Sequence, residues 1–254
     1  MSNAAVSIDG LITAFGLPPG PQPRRVPKAS LSDNVPTPGD KRLIESKLAR
    51  LEWIAAINPA TASIAAATAD GMEISTINLL AAYTRGPMPP RLAELIHRAI
   101  PQPVILIHGE DVADAPASLS LAPKRAAERD AGRVVVTALH DSGPLHADDR
   151  TFLDTLAVTR LPSRDLHALY TGLIERIEAL AAARNGKRPF RLATSSDQTA
   201  CWREAVAQTR EIEAQISSIA ATMRKETRLA ARVESGEKVQ QLRHALDKYI
   251  AMLK

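Results

Sequence analysis

"TASIAAATADGMEISTINLLAAY", residues 61–83, sets two short apolar runs on either side of Asp70-Gly71. A two-residue hairpin loop needs left-handed backbone at both central positions, and Asp-Gly accepts it readily. The stretch therefore predicts a β-hairpin, and with it a sheet in the first half of the chain. The second run alternates only in part, because Ile74 and Ile77 are three apart, and this spacing predicts a bulge.

Upstream, "PGDKRLIESKLARLEWIAAIN" (38–58) reads as one long helix. Asp40 is its expected N-cap. Leu43, Ile44, Lys47, Leu48, Leu51 and Ile54 form an i, i+4, i+7 stripe with Trp53 near the end, and Asn58-Pro59 closes it. Earlier still, Ile8, Leu11, Ile12 and Phe15 predict a short helix, ended by the proline-rich, extended "GLPPGPQPRRVP" (16–27).

Downstream, "PMPPRLAELIHRAI" (87–100) predicts a short helix that starts on proline. "PQPVILIHG" (101–109), "ASLSLAP" (117–123) and "GRVVVTALH" (132–140) read as strands. The expected fold is α+β: a mostly antiparallel sheet with two helices over 40–147, preceded by a helix and extended segment over 1–39.

Beyond Asp148 the pattern is helical throughout, so 148–254 is expected to be an all-α hairpin or coiled-coil arm. "PSRDLHALYTGLIERIEALAAARNG" (162–186) carries Ser163 as expected N-cap, a leucine and isoleucine stripe, and a stop at Asn185-Gly186. Trp202, Ala205, Thr209, Ile212, Ile216, Ile219 and Met223 then follow with alternating spacings of three and four, a heptad seam. Trp202, Ile212, Ile216, Ile219 and Met223 are the candidate interface for self-association or a partner. The intramolecular alternative packs the 163–183 helix antiparallel on the 200–230 helix, and the two readings are compatible. Val239, Leu242, Leu246, Tyr249 and Leu253 form a second run out of phase, with a break or stutter expected at Ser235-Gly236.

The composition excludes several classes. With 45% apolar residues in 254, the chain can build a core, but 3% aromatics and many alanines favour close-packed helices over a deep ligand pocket. A net charge of +4, spread evenly along the chain, permits nucleic acid without demanding it. One cysteine, Cys201, rules out a disulfide framework or thiolate metal cluster, and beside Trp202 at a helix start it reads as a space filler. The N-terminus lacks the basic and apolar regions of a secretion signal, and no apolar run is long enough to span a membrane. A cytoplasmic protein is expected.

Three constellations carry candidate chemistry. "RNGKRPFRLATSSDQ" (184–198) concentrates Arg184, Lys187, Arg188 and Arg191 around Phe190, a set that can track phosphates and stack a base. It also reads as the polar turn between two apolar-striped helices. Arg24, Arg25 and Lys28, with Lys124, Arg125 and Arg129, form a second cationic candidate if folding joins them. The alternative is two unrelated loops. His108, Glu110 and Asp111 end one predicted strand, and His140 and Asp141 end another, positions where acid–base groups or metals often sit. His146, Asp148 and Asp149 show that such residues also fall freely in loops. No spacing matches a metal-ligand, phosphate-loop or nucleophile motif, so no metal, cofactor or catalytic residue is expected.

The succession "VPK", "DKRLIESKLARLEWIAAINPATASI", "IHRAIPQPVILIH", "LSLAPKR" and "LPSRDLHALYTGLIERIEALAAARNGKRPF" resembles an uncharacterised bacterial family, domain of unknown function 4391. The likeness runs from about Leu17 to the C-terminal helix. It implies a setting near helicase and DNA-methyltransferase genes in restriction-like and phage-defence clusters, and hence an accessory role there. Lys28 and Lys124 match the family pattern, with no role attached. The expectation is a non-enzymatic interaction subunit that joins itself, or a larger helicase- or methyltransferase-type protein, through its C-terminal helices. The alternative is a nucleic-acid-binding protein or a weak metal-dependent nuclease of the same system.

Overall fold

The structure is a computed structural model that describes residues 4–17, 22–32, 35–127, 134–224, 226 and 228–254. It divides into two compact units, Met1–Ile177 and Glu178–Lys254.

The first unit opens with α1 (Ile8–Ala14), β1 (Arg24–Arg25) and α2 (Lys28–Ser32). α3 (Pro38–Lys47) is capped by Thr37, whose hydroxyl accepts from the Asp40 N–H at 3.2 Å. Asp40, the expected cap, lies instead in the first turn. Its carboxylate takes both arms of Arg91, at 2.8 and 2.9 Å.

The long helix expected over 38–58 does not form beyond Lys47, and residues 48–57 are a strand, β2 (Leu48–Ile57). The reason lies in its pairing. The register against the neighbouring strand shifts between Leu48 and Arg50 and again between Trp53 and Ala55. The first shift inserts a residue, so Leu48 and Leu51, three apart, both face the side covered by α3 and α5. A bulged strand thus acquires the spacing of a helical stripe.

Asn58 caps α4 (Pro59–Ala62). β3 (Ala67–Ala69) and β4 (Met72–Ile74) form the expected hairpin, with Asp70 and Gly71 at φ of 52° and 74°. The bulge expected between Ile74 and Ile77 is instead a gap between strands, since β5 (Ile77–Thr84) begins there and joins a different sheet. α5 (Pro90–Ala99), β6 (Val104–Glu110) and β7 (Ser118–Leu121) follow as expected. β8 (Lys124–Ala126) pairs with β9 (Val134–Val136), while β10 (His140–Asp141) pairs with β7. The single strand read from 132–140 is therefore two, in two sheets. After α6 (Arg150–Leu153), α7 (Leu166–Asn185) starts on Asp165, whose carboxylate accepts from the Ala168 N–H at 2.8 Å; Asp165, rather than Ser163, holds its N-terminus.

The main sheet runs β1-β2-β5-β6-β7-β10, antiparallel except between β5 and β6. α3 and α5 cover one face, where Ile44, Leu92, Leu95 and Ile96 pack on Leu80, Ala82, Val104 and Leu106. The alternate residues Leu79, Ala81, Ile105 and Ile107 are equally buried on the other face, which α1 meets. Burial on both faces explains why β5 and β6 read as unbroken apolar runs. Tyr170 of α7 ties the ends of the inner strands β6 and β7 together: its hydroxyl accepts from the Ala122 N–H and donates to the Val104 carbonyl, both at 2.9 Å.

In the second unit, the last turns of α7 are followed by α8 (Ser196–Met223) and α9 (Leu229–Met252). Ser195 caps α8 through the Gln198 N–H at 3.2 Å. Leu253, at the end of α9, packs with Trp202 and Ala205 near the start of α8, so the two helices are antiparallel. The break expected at Ser235-Gly236 is absent, because α9 runs through both residues and the interruption falls between Met223 and Leu229. Among the described residues no helix is long and apolar enough to cross a membrane.

Candidate functional site

β5 and β6 are the one parallel pair among the described strands, and α5 makes the crossover between them. Loops that leave neighbouring parallel strands at their carboxyl ends open a crevice between them. Here that crevice is a pocket of about 380 Å³, on the α5 side of Thr84, His108 and Glu110. A chain so poor in aromatics predicts no such cavity. Proline rings at positions 87, 90, 116 and 144, with Met88, Ala93 and Leu139, build its walls instead.

His108 lies at its floor, 7% exposed, with Nε2 2.8 Å from Oδ2 of Asp141. The other oxygen of Asp141 accepts from the Gly143 N–H at 2.7 Å, so the carboxylate is fixed from both sides. Thr84 donates to the Gly109 carbonyl at 3.1 Å and ties the two strand ends together. Glu110 lines the same pocket, half-buried, with no hydrogen-bond or ion-pair partner among the described residues. Of the strand-end candidates, folding thus unites His108, Glu110 and Asp141. Asp111 lies 3.7 Å from Arg50 instead, whose guanidinium stacks over the Tyr83 ring at 3.6 Å. His140 occupies the alternate position on β10, paired in register with Leu121. His146 and Asp149 are taken up in a turn, where the Asp149 carboxylate accepts from the His146 N–H at 3.0 Å. Among the described residues no group of three His, Cys, Asp or Glu side chains is placed to hold a metal ion.

The cationic candidates have a different employment: several of them close helix C-termini. An α-helix ends with unpaired carbonyls and the negative end of its dipole, and a cation there is favourable. The Lys28 amine donates to the carbonyl of Leu48, the residue that caps α3. Arg85, which the sequence reading missed, reaches the same helix end through the Glu45 and Ser46 carbonyls, at 3.0 and 3.2 Å. Burial, then the nearby Arg85 and Arg25 charges, push the Lys28 amine below its ordinary range. At the end of α5, the Lys124 amine donates to the carbonyls of Ile100, the capping residue, and Gln102, at 2.6 and 2.8 Å. It is 7% exposed, and burial lowers its pKa to about 7. Lys28 and Lys124 therefore serve separate helix ends. Arg24 and Arg25 are exposed on the edge strand, opposite Trp53 and Glu52, and Arg125 is exposed on β8. Arg129 lies outside the described residues.

The loop after α7 repeats the device in the second unit. Arg188 donates through Nε to the Leu253 carbonyl at 2.5 Å, and Arg191 to that of Lys254 at 3.1 Å. Both guanidiniums stand over the Trp202 ring, at 4.2 and 5.8 Å from its centre. Gly186 makes room for this contact, since a Cβ there would meet the Leu253 carbonyl oxygen at 2.7 Å. Arg184 and Lys187 are exposed. The stretch links α7 to α8, but the helix that packs along α8 is α9 rather than α7, which meets α8 only near Trp202; the stretch is also the clasp on the end of α9.

The seam residues divide by position. Trp202, Ala205, Thr209 and Ile212 are buried, whereas Ile216, Ile219 and Met223 are only half-buried. Near the base, Trp202, Ala205 and Val206 pack against Ala179 and Ala182 of α7 as well as Leu253. Glu178 and Arg203 lock the same corner with paired contacts at 2.7 and 2.9 Å.

A family model described as "Domain of unknown function (DUF4391)" matches residues 15–246. The chain belongs to this family. No curated protein and no solved structure matches it. The DUF4391 match covers both the pocket and most of the helical hairpin.

Proposed function

We propose that this DUF4391 chain is a non-enzymatic docking subunit of a restriction-like or anti-phage assembly, joined to that assembly through the α8–α9 hairpin. The observation that carries the reading is the change in cover along the seam, from buried at Ile212 to half-buried at Ile216, Ile219 and Met223, with Val233 of α9 54% exposed. A helix pair leaves one side of its seam open, and apolar side chains left there favour association with another surface. The genomic setting implied by the family resemblance supplies the kind of assembly: a helicase- or methyltransferase-type protein, or a second copy of the chain held beside one. The nucleic-acid or nuclease alternative draws less support, because Lys28, Lys124, Arg188 and Arg191 are engaged by backbone carbonyls.

Two variants test the docking reading. Ile216→Asp with Met223→Asp places charge in the seam, at a cost of several kcal/mol if a partner covers it, by roughly the penalty for burying an unpaired carboxylate. Val233→Glu changes an exposed position and leaves the seam intact. Light scattering should show a smaller assembly for both, while circular dichroism keeps the helix signal for Val233→Glu. Assemblies of unchanged mass in both variants would overturn the reading.

A further inference from the structure

The pocket at the ends of β5 and β6 has an electrostatic character that selects its ligand. Its described lining includes two carboxylates, Glu110 and Asp141, and no lysine or arginine. The remaining wall is mostly apolar, which lowers the local dielectric beside those charges. Asp141 cannot swing away, because Gly143 and His108 hold one oxygen each, at 2.7 and 2.8 Å. Each of those oxygens keeps a further acceptor site. Glu110 meets no partner among the described residues. An anionic ligand would face two like charges here.

From this arrangement we infer that the pocket binds a small organic cation, an ammonium or amidinium group carried on an apolar body. The charged head lies in the field of the lining carboxylates Glu110 and Asp141, and the body lies against Met88, Leu139 and the prolines. The volume of about 380 Å³ falls within the range of small-molecule sites and suits a single ring or a short chain. His108 is a positioning residue that fixes the Asp141 carboxylate. The inference stands apart from the docking proposal, since the pocket residues all belong to the first unit and the hairpin to the second.

Benzamidine, benzamide and benzoate share one shape and differ in charge, and their binding to the full chain by ligand-observed NMR tests the inference. Benzamidine should bind saturably, and benzamide and benzoate should not. Glu110→Gln and Asp141→Asn should each weaken benzamidine about tenfold, the usual scale for loss of a charge-assisted contact. Glu237→Gln, a change in the second unit that removes a carboxylate outside the pocket lining, should leave the affinity unchanged. The inference fails if benzamidine shows no saturable binding up to about 10 mM, the weak limit expected for a ligand of its size. It fails equally if the uncharged or anionic analogue binds as well, or if neither carboxylate substitution changes the affinity.

Discussion

Lys124 holds its amine between two carbonyls with 7% of its surface exposed, and a neutral amine has two N–H groups to match them. Its folded pKa of about 7 lies below the unfolded 10.5. Between those values the unfolded chain binds more protons, so stability should rise with pH, by at most about 1.4 kcal/mol per unit. Below the lower value both states are charged and the desolvation cost is fully present. Urea denaturation of the native chain and Lys124→Met between about pH 7.5 and 9.5 checks this. The native chain should gain on the variant as pH rises, and parallel curves would mean that the amine stays charged in the fold. In the 184–191 loop, Arg188→Gln and Arg191→Gln should each cost about 1–3 kcal/mol through lost carbonyl contacts and ring stacking. Lys187→Gln, exposed, should stay within about 0.5 kcal/mol. If the loop instead grips nucleic acid, the three changes together will cut DNA affinity and flatten its salt dependence. The expected change in DNA retention is less than about twofold.

Two glycines, one inside α9 and one in the turn after α7, separate what sequence can and cannot reveal about an element. Gly236 lies inside α9 with open space where a Cβ would be, so Gly236→Ala should raise stability by about 0.5–1 kcal/mol. Gly186→Ala should destabilise the second unit, because its Cβ would force the end of α9 away. Thermal denaturation followed by helix signal compares the pair directly. In the sequence the two glycines differ little, and only the approach of Leu253 distinguishes them. The same limit explains β2. Leu48 and Leu51 satisfy a helical stripe and a bulged strand equally, and the bulges depend on a partner strand that local spacing does not show. The Asp70-Gly71 hairpin was legible because its cause is local, two residues that accept left-handed backbone. The site was legible by halves. Strand ends pointed to His108, Glu110 and Asp141, but their convergence needs β7 between β6 and β10, a long-range pairing. Lys28, Lys124, Arg188 and Arg191 look like phosphate ligands in sequence, because a helix end and a phosphate present the same demand for positive charge.

For the whole molecule, the two units present two different surfaces. The first unit offers a mostly apolar pocket that holds two carboxylates, and the second a hairpin whose cover runs out along its length. Asp40 and Arg91 join α3 to α5 beside the sheet, and the Arg91 guanidinium holds the Asp40 carboxyl at about 2, against 3.8 unfolded. That contribution is present above the unfolded value and is lost as pH falls through the folded one, so Asp40→Asn should flatten the acid limb of a stability profile. Docking is the central claim, and mass in solution reports on it most directly. Light scattering of the purified chain should be run over a wide concentration range, alone and after co-expression with the products of its neighbouring genes. The account predicts a mass above the single-chain 27.3 kDa in at least one of these conditions, reduced by Val233→Glu. A lone 27.3 kDa species in both would contradict it.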